Sequence, residues 1–311
     1  MGSYCVKSRV PLIARHALAC WVLNYLALVF LTCALWAQQP AASQSGTFLS
    51  QDQIHALIRQ AADKDLENDK KLHDYTYIQR EEEHKLDGSS KVKSTESRTY
   101  EIMVLYEQPE RKQIEKNDQP LPERDAKKED EKIQKIIDKR RNESENDRRK
   151  RLEKAEKERE EGRQFVKEIA DAYNFRFVGM ESLNQRETYV IDADPKPGYE
   201  PHSKDAKFLP KFRFRAWIDK AESQWTKLDI QCIDTVSVGL FLVRVHKGSN
   251  IQIELVRVND EVWLPKHVAL KLDARVALFK GLNLTEDVTY RNYQKFRTGT
   301  KITPLGEVVP Q

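Results

Sequence analysis

Cysteine is scarce in this sequence, with four in 311 residues. Cys5, Cys20 and Cys33 lie in an apolar N-terminal segment, so Cys232 is the one thiol in the rest of the chain. A small scaffold held together by disulfide bonds is therefore excluded. The sequence predicts that Cys232 is a buried strand residue, because nothing around it provides the basic, exposed setting of a reactive thiol. Eleven glycines and twelve prolines likewise exclude a collagen-like chain.

Recognisable catalytic and metal-binding motifs are also absent. The chain has no GxSxG, no Walker loop and no GxGxxG, and no histidine lies in an HExxH pattern. The stretch Glu81–His84 holds three carboxylates and an imidazole, but neighbours on a strand point to opposite faces and cannot converge on one ion. We therefore predict a protein that is not an enzyme and has no catalytic residue, no cofactor and no metal site.

Positive charge is in small excess, and the excess lies at the N-terminus. The formal net charge is +4, and Lys7, Arg9 and Arg15 precede an apolar run over residues 17–37. This order is typical of a secretory signal peptide over residues 1–37, and a retained membrane anchor is the alternative. Without that segment the chain is close to neutral, so charge predicts no nucleic-acid partner. We predict a periplasmic protein whose membrane contact is transient or made through an uncleaved N-terminus.

The remaining chain is dominated by short apolar runs separated by turn residues. Polar residues 38–50 predict a linker, and Ser50 begins a helix whose apolar residues recur every three or four positions to about Leu72. About eleven runs with strand character follow, and their short turns require antiparallel neighbours. The sequence therefore predicts an α+β fold with one large antiparallel sheet and an N-terminal helix. We predict that residues 51–298 form a single domain and that residues 299–311 form a C-terminal tail.

One highly charged block interrupts the strands. Residues 122–164 contain 16 basic and 14 acidic residues, and acid–base pairs four residues apart recur along the block. These features predict an inserted helical hairpin over residues 122–173, broken at 142–144, with its tip in solvent and its second arm docked on the sheet. Because acidic residues accompany the basic ones throughout, the block predicts a charged helix surface and not a nucleic-acid-binding stripe.

The strands carry apolar residues on one face, and these residues are the candidate binding site. Period-two alternation is most regular from Val268 to Leu278. Two interpretations are open. The residues fill a core against the N-terminal helix, or a curved sheet leaves a cavity for lipid acyl chains, each buried CH₂ contributing about 0.8 kcal/mol. The candidate lipid-binding residues are Phe212, Phe214, Val238, Leu240, Leu242, Ile251, Ile253, Leu255, Val268, Leu270 and Leu272.

Two segments carry a more specific pattern. The first reads RAWIDKA at 215–221, followed by WTKLD at 225–229 and by Gly239, and the second reads VWLP at 262–265. In this arrangement the chain resembles the periplasmic lipoprotein-carrier superfamily (LolA-like, outer-membrane lipoprotein-sorting proteins). The resemblance implies an unclosed eleven-strand β-barrel with helices as a lid and lipid acyl chains in its hollow. The hairpin is far longer than the carriers' lid helices, and no position matches their lid-closing arginine, so no functional residue is carried over.

The leading hypothesis is thus an exported, non-enzymatic protein that binds lipid acyl chains or lipoproteins in an apolar half-barrel. The alternative is an envelope interaction or sensor module, in which the hairpin at 122–164 docks an envelope protein and the sheet is fully packed. The two hypotheses differ in whether the apolar face of the sheet is filled by the chain itself.

Overall fold

The computed structural model describes residues 48–106, 108–203, 206–238, 243–276 and 280–295. The predicted signal peptide, most of the linker and the C-terminal tail lie outside these ranges, and so do Gly239 and the candidate residues Leu240 and Leu242. Within the described ranges, no helix has both the length and the apolar character required to cross a membrane.

The first helix, α1 (Gln51–Leu72), begins where the sequence predicts. The Ser50 hydroxyl accepts a hydrogen bond from the backbone N–H of Gln53, and the Gln53 side chain accepts one from the backbone N–H of Ser50. This reciprocal pair is a capping box, which satisfies two N–H groups that the first turn leaves without helical partners. Ile54 and Ile58 lie on the buried side of the helix at 1% exposure. The prediction of an amphipathic N-terminal helix is confirmed.

The described strands form one antiparallel sheet. In chain order they are β1 (Tyr75–Leu86), β2 (Val92–Leu105), β3 (Gln108–Lys116), β4 (Gln119–Pro120), β5 (Tyr173–Leu183), β6 (Arg186–Pro195), β7 (Phe212–Asp219), β8 (Trp225–Cys232), β9 (Val236–Val238), β10 (Val243–Val245), β11 (Asn250–Val258), β12 (Val262–Val276) and β13 (Lys280–Lys295). Their spatial order is β4-β3-β2-β1-β13-β12-β11-β8-β7-β6-β5, with β9 and β10 in a side branch that joins β12. Because β4 and β5 lie at the two ends of this order and do not pair with each other, the sheet is unclosed.

The α+β fold with a large unclosed antiparallel sheet is confirmed, with thirteen described strands instead of about eleven. One additional strand is the two-residue β4, which pairs with the end of β3. The other arises because two short strands, β9 and β10, lie on either side of residues 239–242. A short 3₁₀ helix, Ala206–Lys211, connects β6 to β7.

The inserted hairpin consists of α2 (Glu123–Arg141) and α3 (Glu145–Ala172). Helix α2 lies along β3 and bonds to its backbone. The backbone N–H of Gln113 donates to the Glu129 carboxylate at 3.0 Å, and the Lys132 ammonium donates to the Arg111 carbonyl at 3.0 Å. An uncovered strand edge is a template for pairing with other chains, so α2 protects this side of the sheet.

The tip of the hairpin is exposed at residues 141–142 and 144–150, as predicted, but contacts beside the tip also tie it to the sheet. Glu143, between the two helices, forms an ion pair with Arg151 at 2.8 Å. Arg151 also donates to the carbonyl oxygen of Tyr106 at 3.3 Å, and Arg140 donates to the Gln108 side chain at 2.9 Å. Tyr106 lies in the β2–β3 connection and Gln108 begins β3, both far from the tip in sequence, so the local charge pattern gave no sign of these contacts.

Candidate functional site

Cross-strand pairing places the apolar strand residues in two rows on the face of the sheet that packs against α1, which we call the inner face. The first row contains Phe177, Ile191, Ala216, Leu228, Ile253, Val268, Val288, Glu81 and Arg98. The second row contains Phe175, Ala193, Phe214, Ile230, Ile251, Leu270, Glu286, Glu83 and Glu96. Both rows run from apolar residues on β5 to charged residues on β1 and β2.

The part of each row on β5 to β7 is packed core. Ile58 of α1 and Ala170 of α3 belong to the same buried cluster as Ile191 on β6. Helix α1 and the end of α3 therefore cover this part of the inner face. The candidate residues Phe214 and Leu255 pack against the cluster, so their side chains stabilise the fold here. For these two positions the geometry favours the interpretation of a filled core.

The middle of the rows is apolar and partly exposed. Five candidate residues meet there, and we call them the apolar strip: Ile251, Ile253, Val268, Leu270 and Leu272. Ile251 is opposite Leu270 and Ile253 is opposite Val268, so the side chains of β11 and β12 form matched pairs on one face. Each of the five is neither fully buried nor fully exposed. The strip thus presents continuous apolar surface beside the packed core.

The remaining candidates lie elsewhere. Phe212 begins β7, opposite Cys232, and is partly exposed. Val238 ends β9, in the side branch of the sheet. Cys232 is buried at 2% exposure, its thiol donates to the Asp234 carbonyl at 3.0 Å, and burial raises the pKa of the thiol. The prediction that Cys232 is a buried strand residue is confirmed.

The charged end of the inner face was not identified as part of a site from the sequence. Glu81 pairs with Arg111, whose guanidinium lies 3.9 Å from the centre of the Tyr100 ring, and Glu83 pairs with Lys85 at 3.2 Å. Burial raises the pKa of Glu286, and the charges of Glu81 and Glu83 raise it further. The apolar strip is therefore bordered on β13 and β1 by charged groups, and the inner face is amphipathic.

The stretch of acidic residues on β1 is divided between the two faces, as the alternation predicts. Glu81 and Glu83 lie on the inner face, opposite Val288 and Glu286, whereas Glu82 and His84 point the other way. The His84 imidazole lies 3.0 Å from the Glu82 carboxylate. Among the described residues, no group of three or more histidine, cysteine, aspartate or glutamate side chains is arranged to hold a metal ion.

The tryptophan–isoleucine–aspartate element of the resemblance forms a turn-stabilising cluster. Asp219 is buried at 1% exposure and binds the Arg186 guanidinium through two hydrogen bonds of 2.6 and 2.9 Å. Burial alone raises the pKa of Asp219, but Arg186 and the backbone N–H of Glu222 outweigh it, so the pKa lies below its ordinary value. The element therefore fixes the β7–β8 turn, and it lies away from the apolar strip.

Trp263, in the second segment of the resemblance, joins the same cluster. Its indole N–H donates to the Glu222 carboxylate at 3.0 Å, and Arg186 lies 5.3 Å from the centre of its ring. Arg257 binds the same carboxylate at 2.9 Å. Asp219 of the first segment and Trp263 of the second thus share the neighbour Arg186, and Trp263 reaches the turn at Glu222 across 41 residues of chain. No local pattern could have identified Arg186, Glu222 and Arg257 as partners.

No protein-family model and no curated protein matches the chain. Among solved structures, it is similar to a DUF1329 family protein from Desulfovibrio piger (10% identity, TM-score 0.30, covering 80% of this chain and 95% of that one). It is also similar to a putative outer membrane lipoprotein-sorting protein domain from Vibrio parahaemolyticus (11%, 0.29, 77% and 95%) and to a LolA superfamily protein from Nitrosomonas europaea (9%, 0.27, 80% and 94%). The last two neighbours carry the names of the superfamily that the sequence resembles. At such identities and TM-scores, the likeness carries no conclusion about ligand or partner.

Proposed function

We propose that the protein is exported and binds the acyl chains of a lipid or lipoprotein on the apolar strip, without catalysing a reaction. The observation that supports this proposal is the register of the strip, which gathers Ile251, Ile253, Val268, Leu270 and Leu272 on one partly exposed face. Partly exposed apolar residues on a sheet face gain free energy from any apolar ligand that removes them from water.

The division of the inner face supports an added ligand over a filled core. Residues Phe177, Ile191 and Ala216 belong to or pack against the cluster beneath α1, whereas Ile253 and Val268 continue the same row outside it. An acyl chain on the strip would extend the core across β11 and β12. The charged groups on β13 and β1 remain in contact with water at the border of the strip, so the polar part of a bound ligand can stay hydrated there.

A matched pair of variants tests the strip. Leu270→Arg places a charge in its centre, and Ala269→Arg places the same charge on the opposite face, where Ala269 is opposite Asp287. Binding of a fluorescent fatty acid is measured for both, with far-UV circular dichroism to confirm folding. We expect wild type and Ala269→Arg to bind and Leu270→Arg to lose most of its affinity, because the guanidinium replaces apolar surface that the acyl chain covers and would itself lose water when the chain binds.

Native mass spectrometry of the protein purified from its own envelope fraction gives a second, independent readout. Bound acyl species near one-to-one stoichiometry would support the proposal, and their masses would identify the ligand class. An empty protein that also fails to bind the fluorescent fatty acid would contradict it. So would a folded Leu270→Arg variant with unchanged affinity. The mass of the mature N-terminus, measured in the same experiment, tests export by cleavage within the first 37 residues.

A further inference from the structure

A separate groove of about 530 Å³ lies between α1, α3 and the beginning of β3. None of the residues of the apolar strip lines it. Its apolar walls are Leu66, Pro109, Ala155 and Val166. Grooves of this size are typical of small-molecule sites, and here charged and polar residues lie beside the apolar walls.

Two carboxylates of α1, those of Asp65 and Asp69, line this groove. They are four residues apart, so they lie one above the other on the same side of the helix. In the described part of the chain, neither has a hydrogen bond or an ion pair. Burial raises the pKa of Asp65 to about 6, and the charge of Asp69 adds to the effect. An ionised carboxylate that is partly buried and has no counter-ion is unfavourable, so binding of a cation from outside the chain would stabilise the ionised form.

The basic residues on the opposite wall do not neutralise these carboxylates. Arg163 binds Glu156 and Glu160, at 2.5 and 2.6 Å, and Arg159 binds Glu156 at 3.4 Å. Both arginines are thus held by acidic residues of their own helix, α3. The side of the groove formed by α1 keeps an excess of negative charge.

We propose that this groove binds an organic cation with an apolar body, whose ammonium or guanidinium group lies at Asp65 and Asp69 and whose apolar part lies against Leu66 and Val166. Charged hydrogen bonds to the two carboxylates supply the specificity, and the apolar walls remove the body of the ligand from water. A Ca²⁺ ion requires six to eight oxygen ligands, so two carboxylates and apolar walls suit an organic cation better.

The test compares three probes with the same eight-carbon chain: octylammonium, octanoate and 1-octanol. Calorimetric titration of the full chain at neutral pH measures their affinities. We expect octylammonium to bind at least about tenfold more tightly than the other two, because only it satisfies the carboxylates. Equal affinity for all three probes, or no binding of octylammonium, would overturn the proposal.

Two variants locate the bound cation. The double variant Asp65→Asn/Asp69→Asn should lose the preference for octylammonium, whereas Asp63→Asn, an exposed position on the same helix, should keep it. Leu270→Arg separates this groove from the apolar strip, because it should leave octylammonium binding unchanged even where fatty-acid binding is lost. Retention of full octylammonium affinity in the double variant would place the cation elsewhere and refute the proposal.

A pH series on the wild-type protein gives a further readout that needs no substitution. Protonation of Asp65 near pH 6 removes one of the two negative charges, so octylammonium affinity should fall between pH 7.5 and pH 5. The other titratable or charged groups that line the groove are Asp69 on α1, His73 directly after α1, and Glu158, Arg159 and Arg163 on α3. Affinity that stays constant over this range would count against a role for Asp65.

Discussion

Replacing Asp65 by asparagine should stabilise the protein at neutral pH. The folded protein holds the pKa of Asp65 at about 6, compared with an ordinary value of 3.8, first because of burial and then because of the neighbouring Asp69. Ionisation of this carboxyl group is therefore less favourable in the folded state than in the unfolded state. Asparagine has nearly the same shape and carries no charge at any pH.

The size of the effect follows from the pKa difference. A raised carboxyl pKa means that the folded state binds a proton more tightly, so the stabilising contribution is complete below about pH 4 and is lost as the pH rises through about 6. A difference of about two pKa units corresponds to about 3 kcal/mol at pH 7.5. This figure is an upper limit, because the Asp65 side chain is partly exposed and water screens its charge.

Urea unfolding at pH 7.5 and at pH 4 measures this contribution. We expect Asp65→Asn to exceed wild type by about 1 to 3 kcal/mol in free energy of unfolding at pH 7.5, and by less than about 0.5 kcal/mol at pH 4. The exposed neighbour Asp63→Asn serves as the control and should change little at either pH. Equal stability of wild type and Asp65→Asn at pH 7.5 would refute the reasoning, as would a gain that persists undiminished at pH 4.

Three further predictions concern the fold. The Cys232 thiol should react with a disulfide reagent only as fast as the protein unfolds, because it is buried and its pKa is raised; rapid labelling of the native protein would contradict its position. Arg186→Ala should lower the free energy of unfolding by about 3 kcal/mol, since it leaves the buried Asp219 carboxylate without its counter-ion; a loss near zero would show that the pair is not formed. Glu129→Ala should accelerate hydrogen exchange at the backbone amide of Gln113, which donates to that carboxylate; an unchanged rate would mean that α2 does not protect this strand edge.

Local patterns were sufficient for most of the secondary structure. The Ser50 cap and the apolar spacing that follows define α1, and Ser144 caps α3 by accepting a hydrogen bond from the backbone N–H of Asp147 at 3.2 Å. These features depend on residues within three or four positions of each other, so a single sequence contains all the information. The local pattern held no sign of the contact beside the hairpin tip, where the Tyr106 carbonyl accepts a hydrogen bond from Arg151 across 45 residues of chain.

In the candidate site, too, the sequence predicted the local arrangement of residues but not the contacts between distant elements. Alternation along β11 and β12 predicted which residues share a face, because side chains on a strand repeat with a period of two. It could not separate Leu255, which packs against the core beneath α1, from Ile253, which belongs to the apolar strip two residues earlier. That difference depends on where α1 crosses the sheet. The groove was likewise absent from the sequence analysis, because Asp65 and Val166 are 101 residues apart.

By itself, the sequence determined the type and the approximate bounds of the helices and most strands, the antiparallel connection of neighbouring strands and the polarity of each face. These properties follow from hydrogen bonding and side-chain spacing over a few residues. Only the tertiary structure decided which part of the apolar face is covered, which strand edge α2 protects and which charges remain without partners. Such properties arise when elements far apart in the chain pack together, since helix and strand packing exclude water from some side chains and leave others in contact with it.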